Sequence, residues 1–456
     1  MGVLIFVVAL AFAVRSLTAN FIRAHFSDPA WFQWGTYSIF DQQARGILEH
    51  TEPIFFISDP SRTDRIIYPP AYPLWVAVIY RLSGDWSPAS VQLVQLILDS
   101  IAVLLLVGIG ATAFNWRVGV AAGVIAALFP VLALDGASPT ADAPTSWFVL
   151  AGVWLLIIAA KRKSIRFAIA SGIALGIGCW FRVNPFLLFV AWSIALLVFL
   201  RAAWRQRILL SAAVALSTLL IISPVIVRNV TVFYPNVALT GLSIGYNLWI
   251  GIGETDRGPE FGAPSSDAES LEQDRKAMGL PPDAPLNINY PDGIRRDRQR
   301  ARKALAVIRA HPFWYLGTVI TRAAKHFKYA GAPPSLVGTV GFNVTAKKCL
   351  PPDAQNGFTA FVVNMIGWIQ SVLRYLMLPL IIAGLCVSFS KDWRLTGILL
   401  ATVLYYVATL AIGHSETRYG LPMQGLLVVF AGLATCAIVS VAGKRFNRAK
   451  QRTAEK

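Results

Sequence analysis

Long apolar segments alternate with short polar ones along most of the chain. A transmembrane helix needs about 20 consecutive apolar residues, and fewer where it is short or shielded by other helices. By this criterion the pattern predicts ten spans and an all-α polytopic membrane protein. The predicted spans are residues 2–17, 90–112, 117–135, 143–160, 167–181, 183–200, 208–227, 359–388, 395–412 and 420–442.

Two apolar segments need a more specific interpretation. Residues 167–200 are predicted to form a hairpin of two short helices, because Arg182, Asn184 and Pro185 interrupt the apolar run. Residues 68–83 are apolar but short, and they begin with a proline-rich turn. We interpret them as a juxtamembrane or re-entrant helix on the outer face, since irregular backbone is tolerated only where protein or water satisfies it.

A long polar segment separates the seventh span from the eighth. Its part 254–294 is rich in Pro, Gly, Asp and Ser and is predicted to be irregular, whereas 295–308 and 313–329 are predicted to be amphipathic helices. Basic amphipathic helices beside spans usually lie on the lipid surface. The predicted regions are 1–227 (membrane core with the first outer loop, 18–89), 228–358 (extracytoplasmic loop domain) and 359–456 (C-terminal spans and basic tail).

The composition excludes a soluble protein, since 55% of the 456 residues are hydrophobic and only 14% are charged. A net charge of +17 is common in nucleic-acid-binding proteins. Here, however, many basic residues occupy short loops between apolar segments, where they set membrane orientation. We therefore predict the lipid bilayer as a partner and no nucleic acid.

Four basic clusters fall on one side in the ten-span arrangement, and that side is predicted to be cytoplasmic, with both termini. The segment 1–14 lacks a basic leader, which favours a retained first span over a cleaved signal peptide. The basic clusters are residues 161–166, 201–207, 391–394 and 444–456.

Three acids on the opposite, outer side are candidates for catalysis. Asp28, Asp41 and Asp142 each lie in a predicted outer segment close to a span. A partly desolvated carboxylate there can accept a proton from a hydroxyl nucleophile. Asp28 and Asp142 also fit a purely structural role as helix caps, because each is followed closely by proline. Which of the three acts is left open.

Arginines at three span ends are the candidate anion-binding groups. Arg182 lies at the tip of the apolar hairpin, where its charge is costly unless it meets an anion or water. Arg228 ends one span and Arg418 begins the last, and a planar guanidinium binds phosphate through two parallel hydrogen bonds. The alternatives are snorkelling of Arg182 to the headgroups and a local pair between Glu416 and Arg418.

The sequence predicts no cofactor, while a divalent metal ion stays possible without a motif that supports it. No paired acids stand at metal-ligand spacing, and the four cysteines form neither a zinc pattern nor a disulfide framework. No Gly-rich phosphate loop follows a strand. Asp99 is the one acid deep within a span, and we interpret it as a packing residue that bonds across helices.

The ordered set of polar motifs resembles that of the bacterial polytopic glycosyltransferases of the GT-C fold, which are related to protein O-mannosyltransferases and the lipid A aminoarabinose transferase. The resemblance runs through most of the chain, and the order of the motifs carries it more than any single one. The motifs are Tyr68-Pro69-Pro70-Ala71-Tyr72-Pro73-Leu74, Pro139-Thr140-Ala141-Asp142, Phe181-Arg182-Val183-Asn184-Pro185, Pro224-Val225-Ile226-Val227-Arg228-Asn229, Gly245-Tyr246-Asn247-Leu248-Trp249-Ile250-Gly251, His311-Pro312-Phe313-Trp314-Tyr315 and Glu416-Thr417-Arg418-Tyr419-Gly420-Leu421-Pro422.

The resemblance implies a polyprenyl-phosphate-linked sugar as donor and a glycan, lipid or protein acceptor. It also implies inverting transfer at the periplasmic face of a bacterial inner membrane. It places the base at an acid after the first span, which Asp28 matches best, and the lipid phosphate near Arg418 and Tyr419. As a hypothesis, the substrate-binding residues are Tyr68, Tyr72, Arg182, Arg228, His414, Glu416, Arg418 and Tyr419.

The main alternative is a transporter or flippase for lipid-linked sugars. It predicts ionisable residues through the depth of the membrane and two related halves. Asp99 is the only acid deep within a predicted span, and the chain shows no internal repeat. A structural scaffold is the third interpretation, and the one-sided polar motifs disfavour it.

Overall fold

The computed structural model describes residues 1–26, 32–51, 63, 69–235, 241, 243–330, 342–414 and 416–454. Within these ranges the protein is helical and contains no β-strand. The helices in chain order are α1 (Gly2–Arg23), α2 (Phe32–Leu48), α3 (Ala71–Ser83), α4 (Pro88–Ala113), α5 (Trp116–Leu128), α6 (Pro130–Ala137), α7 (Asp142–Arg162), α8 (Ile165–Phe181), α9 (Leu188–Phe199), α10 (Trp204–Phe233), α11 (Ile244–Gly253), α12 (Asp267–Met278), α13 (Gly293–Ala310), α14 (Pro312–Lys325), α15 (Ala346–Cys349), α16 (Gly357–Ile412) and α17 (Leu421–Ala454).

The apolar helices agree with the predicted multi-pass membrane protein. Six helices of the described chain are long and apolar enough to cross a membrane, and the bent pair of α5 and α6 raises the number to seven. The shorter helices α8 and α9 form the predicted hairpin, and α16 contains two helices joined at Asp392, whose backbone is not helical. Nine of the ten predicted spans therefore coincide with an apolar helix or part of one, while the count of ten crossings stays a prediction.

The predicted span 117–135 is not one continuous helix. α5 and α6 are bent by 63° at a break between them. Phe129 has extended backbone angles (φ −67°, ψ 119°), and Pro130 begins α6. Proline lacks an amide hydrogen and disfavours the helical conformation in the residue before it, which explains the break. All residues of α6 are buried.

The segment 254–294, predicted to be irregular, contains the helix α12. Ser266 caps its first turn by accepting a hydrogen bond from the Glu269 amide at 3.3 Å. Glu269 in turn accepts hydrogen bonds from the backbone and side chain of Ser265, at 2.7 and 3.0 Å. Gly279 ends the helix in the left-handed conformation, with φ +62°. These are ordinary signals for the start and the end of a helix. The prediction of an irregular segment is wrong here because it rested on the Pro- and Gly-rich sequence on both sides of the helix.

Basic loops and polar motifs lie at opposite ends of the helical bundle. At one end, Arg201 pairs with Asp392 at 3.4 Å, and Gln206 donates a hydrogen bond to the Lys163 carbonyl at 3.1 Å. These contacts join three of the basic clusters that the sequence assigns to one side. α7 separates this end from Asp142, and its 21 residues span roughly 31 Å.

A buried ion pair crosses the bundle near α6. Arg15 of α1 donates a hydrogen bond to Asp99 of α4 at 2.6 Å, and Trp147 of α7 donates another to the same carboxylate at 2.6 Å. The side chains of Arg15 and Asp99 are 2% and 9% exposed. Asp99 therefore bonds across helices, which agrees with its predicted packing role, and three helices are fixed relative to one another.

Candidate functional site

A cavity of about 320 Å³ lies at the polar end of the bundle, and we call it the central cavity. Its walls come from the junction of α8 and α9, the starts of α11 and α12, the segment before α13 and the segment before α17. The lining residues are Pro69, Arg182, Val183, Asn184, Ser243, Tyr246, Asn247, Asp267, Ile288, Asn289, His414, Glu416, Arg418 and Tyr419.

The tip of the α8–α9 hairpin is held in the wall of this cavity by hydrogen bonds. α8 ends at Phe181, and Arg182 is extended (φ −147°, ψ 149°), so the chain leaves the helix there. The Asn184 side chain donates a hydrogen bond to the Tyr419 carbonyl at 3.2 Å. The Tyr405 hydroxyl donates one to the Asn184 carbonyl. These bonds fix the tip against α16 and the segment before α17.

Arg182 meets an acid and an aromatic ring. Its guanidinium forms an ion pair with Asp142, whose side chain is 1% exposed. It also lies 4.7 Å from the centre of the Tyr419 ring, within cation–π range. Asp142 is in the first turn of α7 but makes no capping hydrogen bond there. The pairing with Arg182 therefore replaces the cap interpretation of Asp142 and the snorkelling interpretation of Arg182.

Glu416 and Arg418 form a second buried ion pair beside the first. Two arginine nitrogens each lie 2.8 Å from a different Glu416 oxygen, and the Arg418 side chain is 6% exposed. The Tyr419 hydroxyl donates a hydrogen bond to Glu416 at 3.2 Å, and Arg418 lies 5.3 Å from the Tyr419 ring centre. Tyr419 thus contacts both guanidinium groups, and the predicted local pair of Glu416 and Arg418 is present and lines the central cavity.

The acid of this second pair stays ionised. Burial opposes the charge of Glu416, but the charge and hydrogen bonds of Arg418, with smaller contributions from His414 and Arg182, leave its pKa below the ordinary value. The Glu416 carboxylate therefore partly neutralises the positive charge of Arg418 in the cavity wall.

His414 binds a carboxylate from a distant part of the chain. Its Nδ1 lies 2.6 Å from Glu254 at the end of α11, while its Nε2 is 4.0 Å from Glu416. Burial alone lowers the pKa of His414, but the hydrogen bond and charge of Glu254, assisted by Glu416 and Asp267, raise it above the ordinary value of 6.5. His414 therefore keeps its positive charge to a higher pH than a free histidine.

Glu254→Gln is expected to remove a pH dependence of stability. A group whose pKa is raised on folding contributes stability that is full below its unfolded value, here about 6.5, and that is lost as the pH rises through the folded value. The thermal midpoint of the wild type should therefore fall above pH 6.5, and that of the variant should fall less. Measured midpoints between pH 6 and 9 check this, with exposed His50→Gln as control. Identical profiles of wild type and Glu254→Gln contradict it.

Helices outside the apolar bundle supply further cavity residues that the sequence analysis did not select. The Tyr246 hydroxyl donates a hydrogen bond to Asp267 at the start of α12. Asp297 of α13 accepts hydrogen bonds from the amides of Gly245 and Tyr246 at 3.2 and 2.9 Å, which fixes the start of α11. The motif around Tyr246 carries no signal that assigns it to the site, and nothing in the Pro- and Gly-rich sequence around Asp267 predicts the helix α12 that positions this acid.

A buried acid of α6 also escaped the sequence analysis. Asp135 is 1% exposed, and its Oδ2 has no hydrogen-bond partner among the described groups. Asp142 and Arg418 are among the charged groups that act on it. Asp135 therefore lies close to the charged groups of the site, and the only signal for it in the sequence was an acid at the end of a predicted span.

Three further candidates, Asp41, Arg228 and Tyr72, are not among the described residues that line the central cavity. Asp41 pairs with Arg45 at 3.0 Å and accepts a hydrogen bond from Tyr80, so it joins α2 to α3 rather than lining the cavity. Arg228 does not line it either, and its guanidinium binds the Asn229 side chain at 2.8 and 3.0 Å. Tyr72 is fully buried and donates a hydrogen bond to Gln95 at 3.1 Å. Asp28 and Tyr68 lie outside the described residues.

The charges of the central cavity suit a ligand with a phosphate and hydroxyl groups. Arginines bind phosphate through paired hydrogen bonds, and the tyrosine, asparagine and acidic side chains can exchange hydrogen bonds with hydroxyls. Among the described residues no group of three or more His, Cys, Asp and Glu side chains is placed to hold a metal ion.

Comparison with known proteins identifies the fold. Residues 68–227, less than half of the chain, match the profile of the family described as dolichyl-phosphate-mannose-protein mannosyltransferase. The apo oligosaccharyltransferase of Archaeoglobus fulgidus superposes over 99% of this chain and 52% of its own, with a TM-score of 0.54 and 16% identity. The chain thus spans about half the length of that protein. Comparison with curated protein sequences gives no match.

A more distant structural match is ArnT from Cupriavidus metallidurans bound to undecaprenyl phosphate. It covers 95% of this chain and 78% of its own, with a TM-score of 0.35 and 16% identity. Because the chain superposes on the oligosaccharyltransferase, the predicted GT-C fold is confirmed.

Proposed function

We propose that this protein is a glycosyltransferase that moves a sugar from a polyprenyl-phosphate carrier to an acceptor hydroxyl or phosphate. The observation that carries the proposal is the pair of buried Arg–acid contacts that share Tyr419 in the wall of one cavity. The family matched by residues 68–227 is described by a polyprenyl-type phosphate sugar as donor. The fold shared with an oligosaccharyltransferase supports the same class of reaction.

The two ends of the bundle support an outward-facing site. Short basic loops between spans stay in the cytoplasm, and they gather at the end opposite the central cavity. We infer that the cavity opens to the periplasmic face of a bacterial inner membrane and that the C-terminus is cytoplasmic. A carrier lipid would bring the activated sugar to this face, where no nucleotide supply is needed.

The proposed step is an inverting displacement. The acceptor oxygen attacks the anomeric carbon, and the bond from that carbon to the phosphate oxygen breaks with its electron pair going to the phosphate. Arg182 and Arg418 line the cavity and would stabilise the charge that develops on the leaving phosphate. Arg228 is not among the described residues that line the cavity, so we assign it no part in this step.

The proton of the acceptor needs a base, and Asp28 is our proposal. Asp142 is paired with Arg182, and Asp41 is paired with Arg45 outside the cavity, so neither carboxylate is as available for proton transfer. Asp28 rests on its position after the first span in the sequence, since it lies outside the described residues. Tyr68, also outside them, remains proposed as a neighbour of the substrate. Tyr72 is fully buried and bonded to Gln95, so we propose for it only a supporting role behind the site.

Transport of a lipid-linked sugar, the alternative function, requires a polar path through the bundle. The ionisable residues at depth, Arg15 and Asp99, are instead joined in a closed pair. The described cavity beside them measures about 30 Å³, which is room for one or two water molecules and not for a sugar. The described core therefore favours transfer over transport.

Incubation of the purified protein with a panel of polyprenyl-phosphate sugars tests the function. The wild type should consume at least one donor and release the polyprenyl phosphate, and Asp28→Asn should abolish this without changing the thermal midpoint. Asp85→Asn, an exposed acid of the same outer loop, is the matched control. Full activity of Asp28→Asn moves the base to Asp142 or Asp41, and no release from any donor contradicts the function.

A further inference from the structure

A second and larger cavity adjoins the central one. It measures about 930 Å³, and we call it the lateral cavity. It shares Glu416 with the central cavity, so the two spaces meet at the ion pair of Glu416 and Arg418. The lining residues are Glu254, Thr255, Asp256, Phe313, Trp314, Gly317, Thr318, Thr321, Arg322, Lys325, His326, Gly413, Glu416 and Thr417.

One wall of the lateral cavity is the amphipathic helix α14. Its polar side, with Thr318 and Arg322, lines the cavity. Its other side carries Leu316 and Ile320, four residues apart and 55% and 61% exposed. Phe313 lines the cavity at the start of the helix and is 87% exposed. An apolar stripe on a basic amphipathic helix beside spans lies in the membrane interface. The lateral cavity is therefore one helix away from the lipid.

The acids of this cavity are mostly neutralised, whereas its cations are not. Glu254 is paired with His414, and Glu416 with Arg418. Asp256, at the exposed rim, accepts a hydrogen bond from the Arg257 amide. Lys325 forms no ion pair with any residue of the described chain, and Arg322 donates its hydrogen bond to the Gly251 carbonyl rather than to an acid.

Arg322 also has an unused hydrogen-bond donor. Its Nη1 is buried and has no partner among the described groups. A buried donor without an acceptor costs stability, and a bound anion would recover it. Burial lowers the pKa of the neighbouring His326, so this histidine is neutral near pH 7 and leaves the positive charge to Arg322 and Lys325.

We propose that the lateral cavity binds the acceptor, and that the acceptor is an anionic lipid-anchored molecule whose phosphate or carboxylate group meets Arg322 and Lys325. This inference rests on the proposed function, because sugar transfer needs two substrates that meet at one point. The central cavity holds the arginines assigned to the donor phosphate, so the adjoining space is left for the acceptor. The membrane-facing wall and the unpaired cations select a charged lipid over a neutral peptide.

The test compares acceptor probes in phosphatidylcholine nanodiscs with a polyprenyl-phosphate hexose as donor. The probes are one lipid-anchored disaccharide with and without a phosphate group, and a Ser/Thr peptide. Transfer to the phosphorylated probe should be faster than transfer to the other two. Lys325→Glu should raise the KM for the phosphorylated probe roughly tenfold or more, because one charge contact is lost. The KM for the donor should stay constant. Lys328→Glu, exposed one turn further along the chain and outside the lining, is the control.

A steric variant separates position from charge. A Cβ at Gly317 would meet no atom within 4 Å, and this residue lines the lateral cavity. Gly317→Leu should therefore occupy part of the cavity and raise the acceptor KM more than Gly317→Ala does. The proposal is overturned if the uncharged probe or the peptide is glycosylated as fast as the phosphorylated probe. It is also overturned if Lys325→Glu changes the KM for the donor and not the KM for the acceptor.

A binding measurement keeps failure of the two proposals apart. Without any donor, dihexanoyl phosphatidic acid should raise the thermal midpoint of the wild type more than dihexanoyl phosphatidylcholine does, and Lys325→Glu should abolish the difference. If no donor is consumed but this difference is seen, the anion site stands and the proposed reaction falls. If donors are consumed but the two lipids act alike, the reaction stands and the lateral anion site falls.

Discussion

Replacement of Arg182 with Met is expected to lower sugar transfer by roughly a hundredfold or more, the usual effect of losing one donor that stabilises a developing negative charge. The guanidinium lines the central cavity, contacts the Tyr419 ring and neutralises Asp142. Methionine keeps most of the side-chain length but provides neither the charge nor the hydrogen bonds. Release of polyprenyl phosphate from the donor, measured at saturating acceptor, checks the prediction.

The matched control is Arg166→Met at the other end of α8, where the arginine is exposed among the basic loops. It should leave transfer unchanged. Asp142→Asn should reduce transfer less than Arg182→Met does, because asparagine can still accept a hydrogen bond from the guanidinium. Activity of Arg182→Met within a few-fold of the wild type would place the leaving phosphate elsewhere.

Asp99→Ala is expected to destabilise the protein by about 3–5 kcal/mol, because it leaves the buried Arg15 charge without its partner. Trp147 loses its acceptor at the same time. The variant should accumulate poorly in membranes and unfold at a lower temperature than the wild type. Thermal unfolding of the solubilised protein, followed by tryptophan fluorescence, measures the loss.

Two further variants show whether the unpaired charge is the cause. Removing both charges together, as Arg15→Met with Asp99→Leu, should restore much of the stability, since well-packed apolar residues often replace a buried ion pair at little cost. Asp283→Ala, at an exposed acid, should have little effect. A double variant as unstable as Asp99→Ala would show that lost packing, not the isolated charge, dominates.

The sequence was sufficient to predict the division of the protein into a polar end and a basic end. Apolar segment length and the positions of Lys and Arg are local properties, and they determine how helices insert. The contact between Gln206 and the Lys163 loop shows two separately predicted basic clusters at one end. The hairpin at Arg182 was predicted for the same reason, since a charge and a proline interrupt the apolar run.

The partners of the charged residues could not be read from the sequence. Arg182 pairs with Asp142, 40 residues earlier in the chain, and His414 pairs with Glu254, 160 residues earlier. Such choices depend on how helices pack, and several outer acids were equally suitable by position. Asp41 illustrates the difficulty. Its position in an outer segment suited catalysis as well as that of Asp28 or Asp142, but in the structure it pairs with Arg45 on its own helix.

The hydrogen bond between Asn184 and Tyr419 joins residues 235 positions apart, and this has a bearing on biogenesis. A ribosome delivers the α7–α9 part of the site to the membrane long before it has synthesised residues 414–419. A nascent chain can therefore form the Asp142–Arg182 contact early, while Tyr419 and the Glu416–Arg418 pair arrive only with the last span. Until that span is inserted, the site contains only the Asp142–Arg182 pair, and we expect the membrane to hold a partly assembled, inactive precursor.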